Sequence, residues 1–287
     1  MAPFNPPLKI LSALLILICG TAFNAVAQCS DAGVCAIGKR SVSLRHQVGI
    51  SYNFGKSGKA DGLTFHSLNL ESSVQVFENA NIFLSLPWSR QSGPLGSTSG
   101  IGDLSVLWSQ YAWRSGEAQL SVELGGKLAT ADVNLGGLPQ AYQPGLGTND
   151  LIVGASFVEE SWNGAVGYQL SRGRSENTLT RLRRGDDVFL RAGYSGDWED
   201  ALYTLELLAI KRLRTSSVAD ASSPGNTFMS VPESDQFQVN ILGKVFLPVD
   251  ESVNLRIITA VPLMQRKVNV DGLTRSLTLS AGLLLTL

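Results

Sequence analysis

Few residues in the sequence could act as a nucleophile together with its general base. Histidine occurs twice, as His46 and His66, and Ser67 follows His66 directly. Adjacent side chains in a β-strand point to opposite faces, so His66 and Ser67 cannot form a catalytic pair within one strand. A pair formed across two strands remains open. We therefore predict that the chain is not an enzyme, with a hydrolase that depends on His66 as the alternative.

Cysteine chemistry is the second possibility. Cys29 and Cys35 are close enough in sequence to form a disulfide in an oxidising compartment. The alternative is a metal site, but two cysteines without a nearby histidine or further cysteine make a poor zinc shell. We predict a small disulfide loop, no metal and no cofactor.

The N-terminal residues have the organisation of an export signal. Lys9 precedes an apolar run at 10–19, and Ala25-Val26-Ala27 is a small-x-small cleavage site. The apolar run is shorter than the roughly 18 residues that a helix needs to span a bilayer. We predict a cleaved signal peptide at 1–27, followed by a periplasmic segment at 28–39 that contains the disulfide.

Charge and hydropathy exclude two other classes of protein. The formal net charge is -1, which lacks the basic excess typical of nucleic-acid-binding domains. Beyond residue 27, no apolar stretch is long enough for a helical span. If the mature chain lies in a membrane, it must cross that membrane with strands.

Alternation of apolar and polar residues predicts such strands along most of the chain. At 41–54, Val48, Ile50 and Tyr52 share a mostly apolar face, and 277–287 alternates in the same way up to the last residue. Ten more strands are predicted near 63–77, 81–90, 101–113, 118–130, 150–159, 162–173, 187–197, 201–214, 235–248 and 253–268. Many of them exceed the roughly 5–6 residues of a globular strand and match the roughly 9–11 residues of a tilted membrane strand.

The connections between these strands alternate between short turns and longer loops. Bacterial barrels with an even strand number place short turns in the periplasm and long loops outside the cell. Both termini then lie on the periplasmic side, and the first and last strands must pair because an open sheet edge would leave unsatisfied backbone groups in hydrocarbon. The sequence thus predicts an all-β fold, a transmembrane antiparallel up-and-down β-barrel of about twelve strands at 40–287, in the outer membrane of a Gram-negative bacterium.

Two further patterns support a membrane barrel. Aromatic residues lie mostly near predicted strand ends, where interfacial girdles belong: Trp88, Trp108, Trp113, Trp162, Trp198, Tyr52, Tyr111, Tyr168, Tyr194 and Tyr203. The last strand fits a barrel-assembly signal, with polar Ser280 and Gly282 before apolar Leu285 and Leu287. Expected partners are therefore outer-membrane lipid, lipopolysaccharide and the assembly machinery, with no nucleic acid.

The polar faces of the strands would then look into the lumen. Charged lumen-lining candidates are Arg45, Glu71, Asp103, Glu123, Lys127, Arg191, Glu206, Arg212, Lys244 and Arg256. Centring two hairpin turns near Ser115 and between Trp198 and Glu199 places Asp103 opposite Lys127 and Arg191 opposite Glu206. These charges either line a water-filled path and select solutes, or pair with each other to fill the barrel.

A run of basic residues follows the seventh predicted strand. It contains Arg172, Arg174, Arg181, Arg183 and Arg184. The run predicts a basic outer rim that holds lipopolysaccharide phosphates or steers anionic solutes, with a merely solvated loop as the alternative. The long loops 131–149 and 215–234 are rich in Gly, Pro and Ser and are expected to be solvated and extracellular, with an inward constriction as the alternative.

Three stretches resemble a known family. They are NIFLSLPW at 81–88, STSGIGDLSVLWSQYAW at 97–113 and PGLGTNDLIVGASF at 144–157. Together they are similar to the outer-membrane family named for the MetA pathway of phenol degradation, above all in the Gly-Ile-Gly-Asp-Leu segment that ends at Leu104 and in the Pro-Gly-x-Gly-x-x-Asp segment that ends at Asp150. The resemblance implies a transporter-like barrel for aromatic or other small hydrophobic compounds and no enzyme activity. The predicted function is a channel or transporter for small solutes, and the alternative is a non-conducting structural or lipopolysaccharide-binding barrel.

Overall fold

The alternating segments form long antiparallel strands in a computed structural model, which describes residues 37–38, 46–57, 61–223 and 226–287. The strands are β1 (Gln47–Lys56), β2 (Thr64–Phe77), β3 (Ala80–Gly93), β4 (Gly96–Ile101), β5 (Leu104–Ser115), β6 (Ala118–Leu128), β7 (Asn149–Glu159), β8 (Trp162–Arg172), β9 (Asp187–Trp198), β10 (Ala201–Arg212), β11 (Ser217–Ala219), β12 (Phe228–Ser230), β13 (Phe237–Pro248), β14 (Val253–Met264) and β15 (Leu277–Thr286). Two short 3-10 turns, Leu135–Gly137 and Gln140–Tyr142, lie between β6 and β7. None of the helical turns in these ranges is long and apolar enough to cross a bilayer.

The sheet closes on itself. β1 pairs with β15 along its whole length, from Gln47 opposite Thr286 to Lys56 opposite Leu277, and it pairs with β2 on its other side. β4 and β5 both pair with β3 and form one wall strand, which is interrupted where the Gly102 N–H donates to the Pro87 carbonyl at 2.7 Å. Counted in this way, the wall has twelve antiparallel strands, which confirms the predicted fold class. β11 and β12 form a separate small hairpin.

Short turns gather at one end of the barrel, called the lower end here. They join β2 to β3, β5 to β6, β7 to β8, β9 to β10 and β13 to β14, and β1 begins and β15 ends at the same level. Longer connections at 129–148, 173–186, 213–236 and 265–276 lie at the opposite, upper end. The predicted alternation of short turns and long loops is therefore confirmed.

The outer surface of the wall is apolar, as the alternation predicted. Leu70, Leu124 and Leu190 are more than half exposed. Glu123 and Arg191, next to two of them on the other face, are polar and buried. Three tryptophans next to the lower turns, Trp113, Trp162 and Trp198, are also exposed. An apolar band with aromatic residues at its border is the surface that a bilayer requires.

An apolar cluster lies inside the barrel, where the sequence had predicted polar residues. Its members are Ile37, Leu107, Ile152, Ala165, Phe189, Leu208, Ile210, Leu242 and Ala260. Ile37 is 0% exposed and packs in this cluster, so Ile37 and Gly38 lie inside the barrel. The other residues of the predicted periplasmic segment 28–39 lie outside the described residues. The predicted signal peptide, both disulfide cysteines and Arg45 lie outside the described residues.

Candidate functional site in the barrel interior

Eight buried charges form a connected group near the upper end, the upper charge network. Five come from the wall or its breaks, and Arg184, Arg266 and Asp271 come from the upper loops. The members are Asp103, Lys127, Asp150, Arg184, Asp187, Arg212, Arg266 and Asp271. Acids and bases are equal in number, so the network carries no net charge when all members are ionised.

The first half of the network joins the break before β5 to β6 and β7. Lys127 Nζ lies 3.1 Å from Asp103 Oδ2 and 3.6 Å from Asp150 Oδ2. Gln169 donates to the second of these carboxylates from β8 at 2.5 Å. These charges are shielded from bulk water. They are therefore stabilised by each other and by hydrogen bonds instead of by solvation.

The second half joins β9 and β10 to the upper loops. Asp187 accepts contacts from Arg212 at 3.1 Å and from Arg184 and Arg266 at 3.3 Å. Arg212 also binds Asp271 at 2.7 Å. Because Asp187 faces three cations, removal of its charge would leave the network with excess positive charge.

The close packing of these charges shifts the pKa values of two loop residues, Asp271 and Arg266. Burial opposes ionisation of Asp271, but the positive charges of Arg212, Arg184 and Arg266 outweigh it and hold the pKa of this carboxyl below its usual range. Burial, together with the charge of Arg212, lowers the pKa of Arg266 to about 10. Both groups remain charged at neutral pH.

The two predicted cross-strand ion pairs are formed, although the strand register differs from the prediction by two residues. Lys127 is opposite Ser105, and Arg191 is opposite Leu208. The turns lie one residue further along the chain than expected, at 116–117 and at 199–200, where Glu199 has a φ of 55°. A shift of two residues keeps every side chain on its face, and diagonal neighbours are still within reach of long side chains.

A second, smaller group of charges lies below the upper charge network. Glu206 contacts Lys244 at 2.5 Å and Arg191 at 3.4 Å. Glu71 and Arg256 form a separate pair at 2.7 Å, and both are slightly exposed. All the described lumen-lining candidates therefore have their charged groups on the inner face and, apart from Glu123, in ion pairs.

Glu123 differs from the other candidates in its partners. Its carboxylate accepts hydrogen bonds from Ser156 Oγ at 2.6 Å and from the backbone N–H of Gly38 at 3.3 and 3.4 Å. The residue is 7% exposed. This carboxylate thus holds the described piece of the N-terminal segment.

The loop 129–148 folds into the barrel, which corrects the expectation that 131–149 would be a solvated loop. Asp103 accepts hydrogen bonds from the backbone N–H groups of Leu146 at 2.7 Å, Gly147 at 3.2 Å and Ala131 at 3.3 Å. A Cβ at position 145 would lie 2.8 Å from the Asp103 carboxyl carbon, so only glycine permits this approach. The two segments that carry most of the family resemblance therefore meet at Asp103.

Three of the upper loops lie next to one another. Asn177 Nδ2 donates to the carbonyls of Val133 at 2.5 Å and Leu138 at 2.9 Å, which connects 173–186 to 129–148. Between the loops 129–148 and 265–276 a cavity of about 20 Å³ is lined by Asp103, Asp271 and other residues. A cavity of this size has room for about one water molecule.

The five arginines of the predicted rim differ in their exposure. Arg172 and Arg183 are exposed, and Arg174 and Arg181 are half-buried, with the Arg174 guanidinium 3.6 Å from the centre of the Phe228 ring. Arg184 is buried and contacts Asp187, so its assignment to the rim was wrong. The other loop that was expected to be solvated, 215–234, contains the exposed β12 and stays at the outer surface.

His66 and Ser67 point to opposite faces of β2. His66 Nδ1 and the Tyr52 hydroxyl are 2.6 Å apart on the outer surface, and the His66 ring lies 5.2 Å from the Phe54 ring. Ser67 is buried on the inner face and accepts a hydrogen bond from Asn53. The geometry gives His66 a place in an outward-facing aromatic group.

Sequence reasoning missed Asp150, Asp187, Arg266, Asp271 and the inward apolar cluster. Asp150 and Asp187 are the first residues of two predicted strands. Their charge at this position could have added them to the lumen-lining candidates. Arg266 and Asp271 lie in a loop, to which strand periodicity does not apply.

The closed antiparallel wall, with an apolar outer face and a charged inner face, defines an outer-membrane type of β-barrel. The structure is similar to an outer membrane channel from Pseudomonas putida F1, with a TM-score of 0.62 and 14% identity over 86% of this chain and 97% of that chain. It is also similar to the NanC porin, with a TM-score of 0.50 and 9% identity over 84% of this chain and 100% of that one. No family model and no curated protein matches the sequence. At these identities the likeness shows a shared fold.

Proposed function

We propose that this protein lies in the bacterial outer membrane and is a channel for small solutes, with its lumen closed in this conformation. The observation that carries the proposal is the upper charge network, which crosses the lumen from wall strand to wall strand and includes residues of the upper loops. The barrel fold shared with a channel and a porin supports it.

The composition of the network explains how such a channel could open. Asp271 and Arg266 belong to the loop 265–276, and Asp103 binds the loop 129–148. Movement of these loops toward the solvent would expose the ion pairs to water without a change in the hydrogen bonds of the wall. A buried ion pair gains little net stability over its hydrated partners, so the closed and open states need not differ much in free energy.

Inner apolar residues and the family resemblance together suggest the class of solute. Leu107, Ile152, Phe189 and Leu208 face inward between charged neighbours. A path with such a lining suits small aromatic or otherwise hydrophobic compounds that carry a polar group, as the similarity to the MetA-pathway family implies.

Ion conductance of the purified barrel in a planar bilayer tests this function. Asp103→Asn and Lys127→Gln should raise the frequency of openings or change the ion selectivity, because each breaks the same buried pair. Asp132→Asn is the matched control, since Asp132 is an exposed acid of the loop 129–148 and lies outside the upper charge network. A silent bilayer for the wild type and both variants would overturn the channel function.

A second candidate function is a non-conducting barrel that holds lipopolysaccharide, and the arrangement of the rim arginines favours it. The guanidinium groups of Arg174 and Arg181 lie 3.6 and 5.3 Å from the centre of the same Phe228 ring, so these two cations are neighbours. Burial lowers the pKa of Arg174, and the charges of Arg183 and Arg181 lower that pKa further. Such a cluster is suited to phosphate groups. Replacement of Arg181 and Arg183 by Ser should weaken co-purification of lipopolysaccharide, whereas Lys267→Ser, at an exposed cation elsewhere on the upper end, should not. Unchanged retention in the double variant would count against this function.

A further inference from the structure

The outer face of β1 to β4 changes from apolar to cationic towards the upper end. Three successive rows of directly opposed residues cross these strands. The lowest row, called the apolar row here, is at least 44% exposed throughout and consists of Tyr52, Leu68, Trp88 and Ile101. The next row consists of Phe54, His66, Arg90 and Ser99, and the highest of Lys56, Thr64, Ser92 and Ser97. Cations and hydroxyls therefore stand directly above an aromatic and aliphatic surface.

The cations of these rows lie at the level where the apolar band of a barrel ends. Arg90 is ten residues from Ala80, the first residue of β3 after the lower turn. At about 3.3 Å per residue and a tilt of about 40°, this separation gives a height of about 25 Å, which is the height of the apolar band of outer-membrane barrels. Long loops are extracellular in such barrels, so Lys56, His66 and Arg90, called the cationic patch here, face the headgroups of the outer leaflet.

The two strong bases of the cationic patch are available to an external anion. Lys56 and Arg90 are exposed, and His66 is half-buried. Among the ion pairs of the residues that the structure describes, none includes Lys56 or Arg90. Asp61, the acid closest to Lys56 in the sequence, accepts a hydrogen bond from Asn269 at 3.0 Å instead. The patch therefore keeps its positive charge for a ligand.

His66 stands between the two strong bases. It is directly opposite Arg90 on one side and diagonal to Lys56 on the other. Directly opposed Cβ atoms are about 4.5–5.5 Å apart and diagonal neighbours about 7–8 Å, which long side chains can bridge. His66 Nδ1 lies 2.6 Å from the Tyr52 hydroxyl. When that hydroxyl donates, the Nε2–H of the ring is left for an external acceptor. The patch thus offers an ammonium, a guanidinium and an imidazole N–H to one acceptor group.

We propose that the cationic patch binds a phosphate of lipopolysaccharide, whose acyl chains lie on the apolar row below. Arginine and lysine donate charge-assisted hydrogen bonds to phosphate oxygens. The hydroxyls of Ser97 and Ser99 beside the patch suit the sugar that carries the phosphate, which favours lipopolysaccharide over a glycerophospholipid. This site is separate from the rim arginines, because β6 and β7 stand between the two regions of the wall. It rests on the proposed outer-membrane location but not on conduction, so the two proposals can fail independently.

Binding of defined lipids to the full-length protein in detergent tests the chemistry of the site. Native mass spectrometry counts the bound lipids, and every variant carries Arg181→Ser and Arg183→Ser so that the rim does not contribute. In this background, Lys56→Ser with Arg90→Ser should weaken binding of bisphosphorylated lipid A at least about tenfold, because charge-assisted hydrogen bonds to phosphate are lost. Dephosphorylated lipid A should bind weakly and equally to the background and to this variant.

A charge-matched variant is the control for that measurement. Arg114→Ser at the lower end and Lys267→Ser in an upper loop remove two exposed cations elsewhere and should leave lipid A binding unchanged. Equal losses in the two double variants would overturn the site, since net charge alone would then explain the binding. Equal affinity of the background protein for lipid A with and without phosphate would overturn phosphate recognition. Equally tight binding of phosphatidylglycerol would overturn lipopolysaccharide as the occupant.

Photo-crosslinking tests whether the lipid occupies this part of the wall. A photoreactive residue is placed at position 99, which is exposed and opposite Arg90, and isolated outer membranes are irradiated. The probe should crosslink to lipopolysaccharide, and Arg90→Ser should reduce the crosslinked fraction at least about fivefold. The variant barrel should still show heat-modifiable mobility in electrophoresis, because Arg90 contributes only its side chain on the outer surface. Unchanged crosslinking in the folded Arg90→Ser barrel would overturn the site.

Discussion

The Asp103 carboxylate accepts a hydrogen bond from the Leu146 N–H at 2.7 Å and so joins the barrel wall to the loop that folds into the lumen. The same carboxylate lies 3.1 Å from Lys127 Nζ. A single side chain therefore stabilises both the inward loop and the first ion pair of the upper charge network. Events at the loop and in the network are expected to be coupled through this residue.

Loss of the Asp103 carboxylate should release the inward loop. Asp103→Ala removes the acceptor for three backbone N–H groups, and each buried N–H that loses its partner costs about 1–3 kcal/mol. Tyr142, which is buried in the wild type, should then become accessible to chymotrypsin. Limited proteolysis of the folded barrel, with cleavage at Tyr142 identified by mass spectrometry, measures this release.

Asp132→Ala provides the matched control for that experiment. Asp132 belongs to the same loop but is exposed and binds only the nearby Asn134 N–H among the contacts described for it. This variant should resist chymotrypsin as the wild type does. Equal resistance of Asp103→Ala would show that other contacts hold the loop in place.

The strands of the barrel wall could be predicted from the sequence because alternation between neighbouring residues is enough to identify them. Each residue on the lipid side must be apolar and its neighbours face the lumen, so a period of two fixes the faces of Leu124 and Glu123 without knowledge of the fold. The Asp103–Lys127 pair was predicted from the faces of the strands. The pair is formed although the predicted register was wrong by two residues. A shift of one residue would have placed the two charges on opposite faces.

The contents of the lumen could not be predicted in the same way. Leu207, Leu208, Ala209 and Ile210 form a continuous apolar run, in which alternation does not show that Leu208 faces inward. Arg184 stands in a run of arginines, and its burial depends on Asp187 and on Asp150 from a distant strand. Contacts between loops and wall are set by tertiary packing, for which one sequence gives no periodic signal.

Removal of the carboxylate between two buried cations should destabilise the barrel. Glu206→Gln leaves Arg191 and Lys244 without their shared anion, and loss of one partner from a buried ion pair costs about 3–5 kcal/mol. The free energy of unfolding in urea, measured in lipid vesicles, should fall by this amount. Adding Lys244→Met should restore part of the loss, because the two residues are in contact and their effects do not add.

An acid at the barrel surface is the control for that measurement. Glu117→Gln at the exposed lower turn should change the free energy of unfolding by no more than about 0.5 kcal/mol. If Glu206→Gln behaved like Glu117→Gln, water would have to reach Arg191 and Lys244, and the lumen would be open at this level.

Acid should loosen the upper loops through Asp271. The pKa of Asp271 is lower in the folded protein than in the unfolded chain because Arg212, Arg184 and Arg266 outweigh the effect of burial, so the folded state binds fewer protons. Its contribution to stability is complete above the unfolded pKa of about 4 and is lost as the pH falls through the lower, folded value. Cleavage at Tyr142 by an acid-stable protease should therefore increase below about pH 4, and Asp271→Asn should already be more susceptible at pH 7 and show less dependence on pH. Parallel pH profiles for the two proteins would contradict this role.

An arginine on the outer face should show that the apolar surface contacts lipid. Leu124 is 55% exposed in the middle of β6 and has Glu123 and Gly125 as its neighbours. In a bilayer, an arginine near the midplane of a barrel costs about 2–4 kcal/mol, whereas on a protein surface in water it costs almost nothing. Leu124→Arg should therefore lower the free energy of unfolding in vesicles by that amount, while Trp113→Arg, near the lower interface, should have a smaller effect that reflects its depth. Equal and negligible effects of the two substitutions would show that this face is not embedded in the hydrocarbon core.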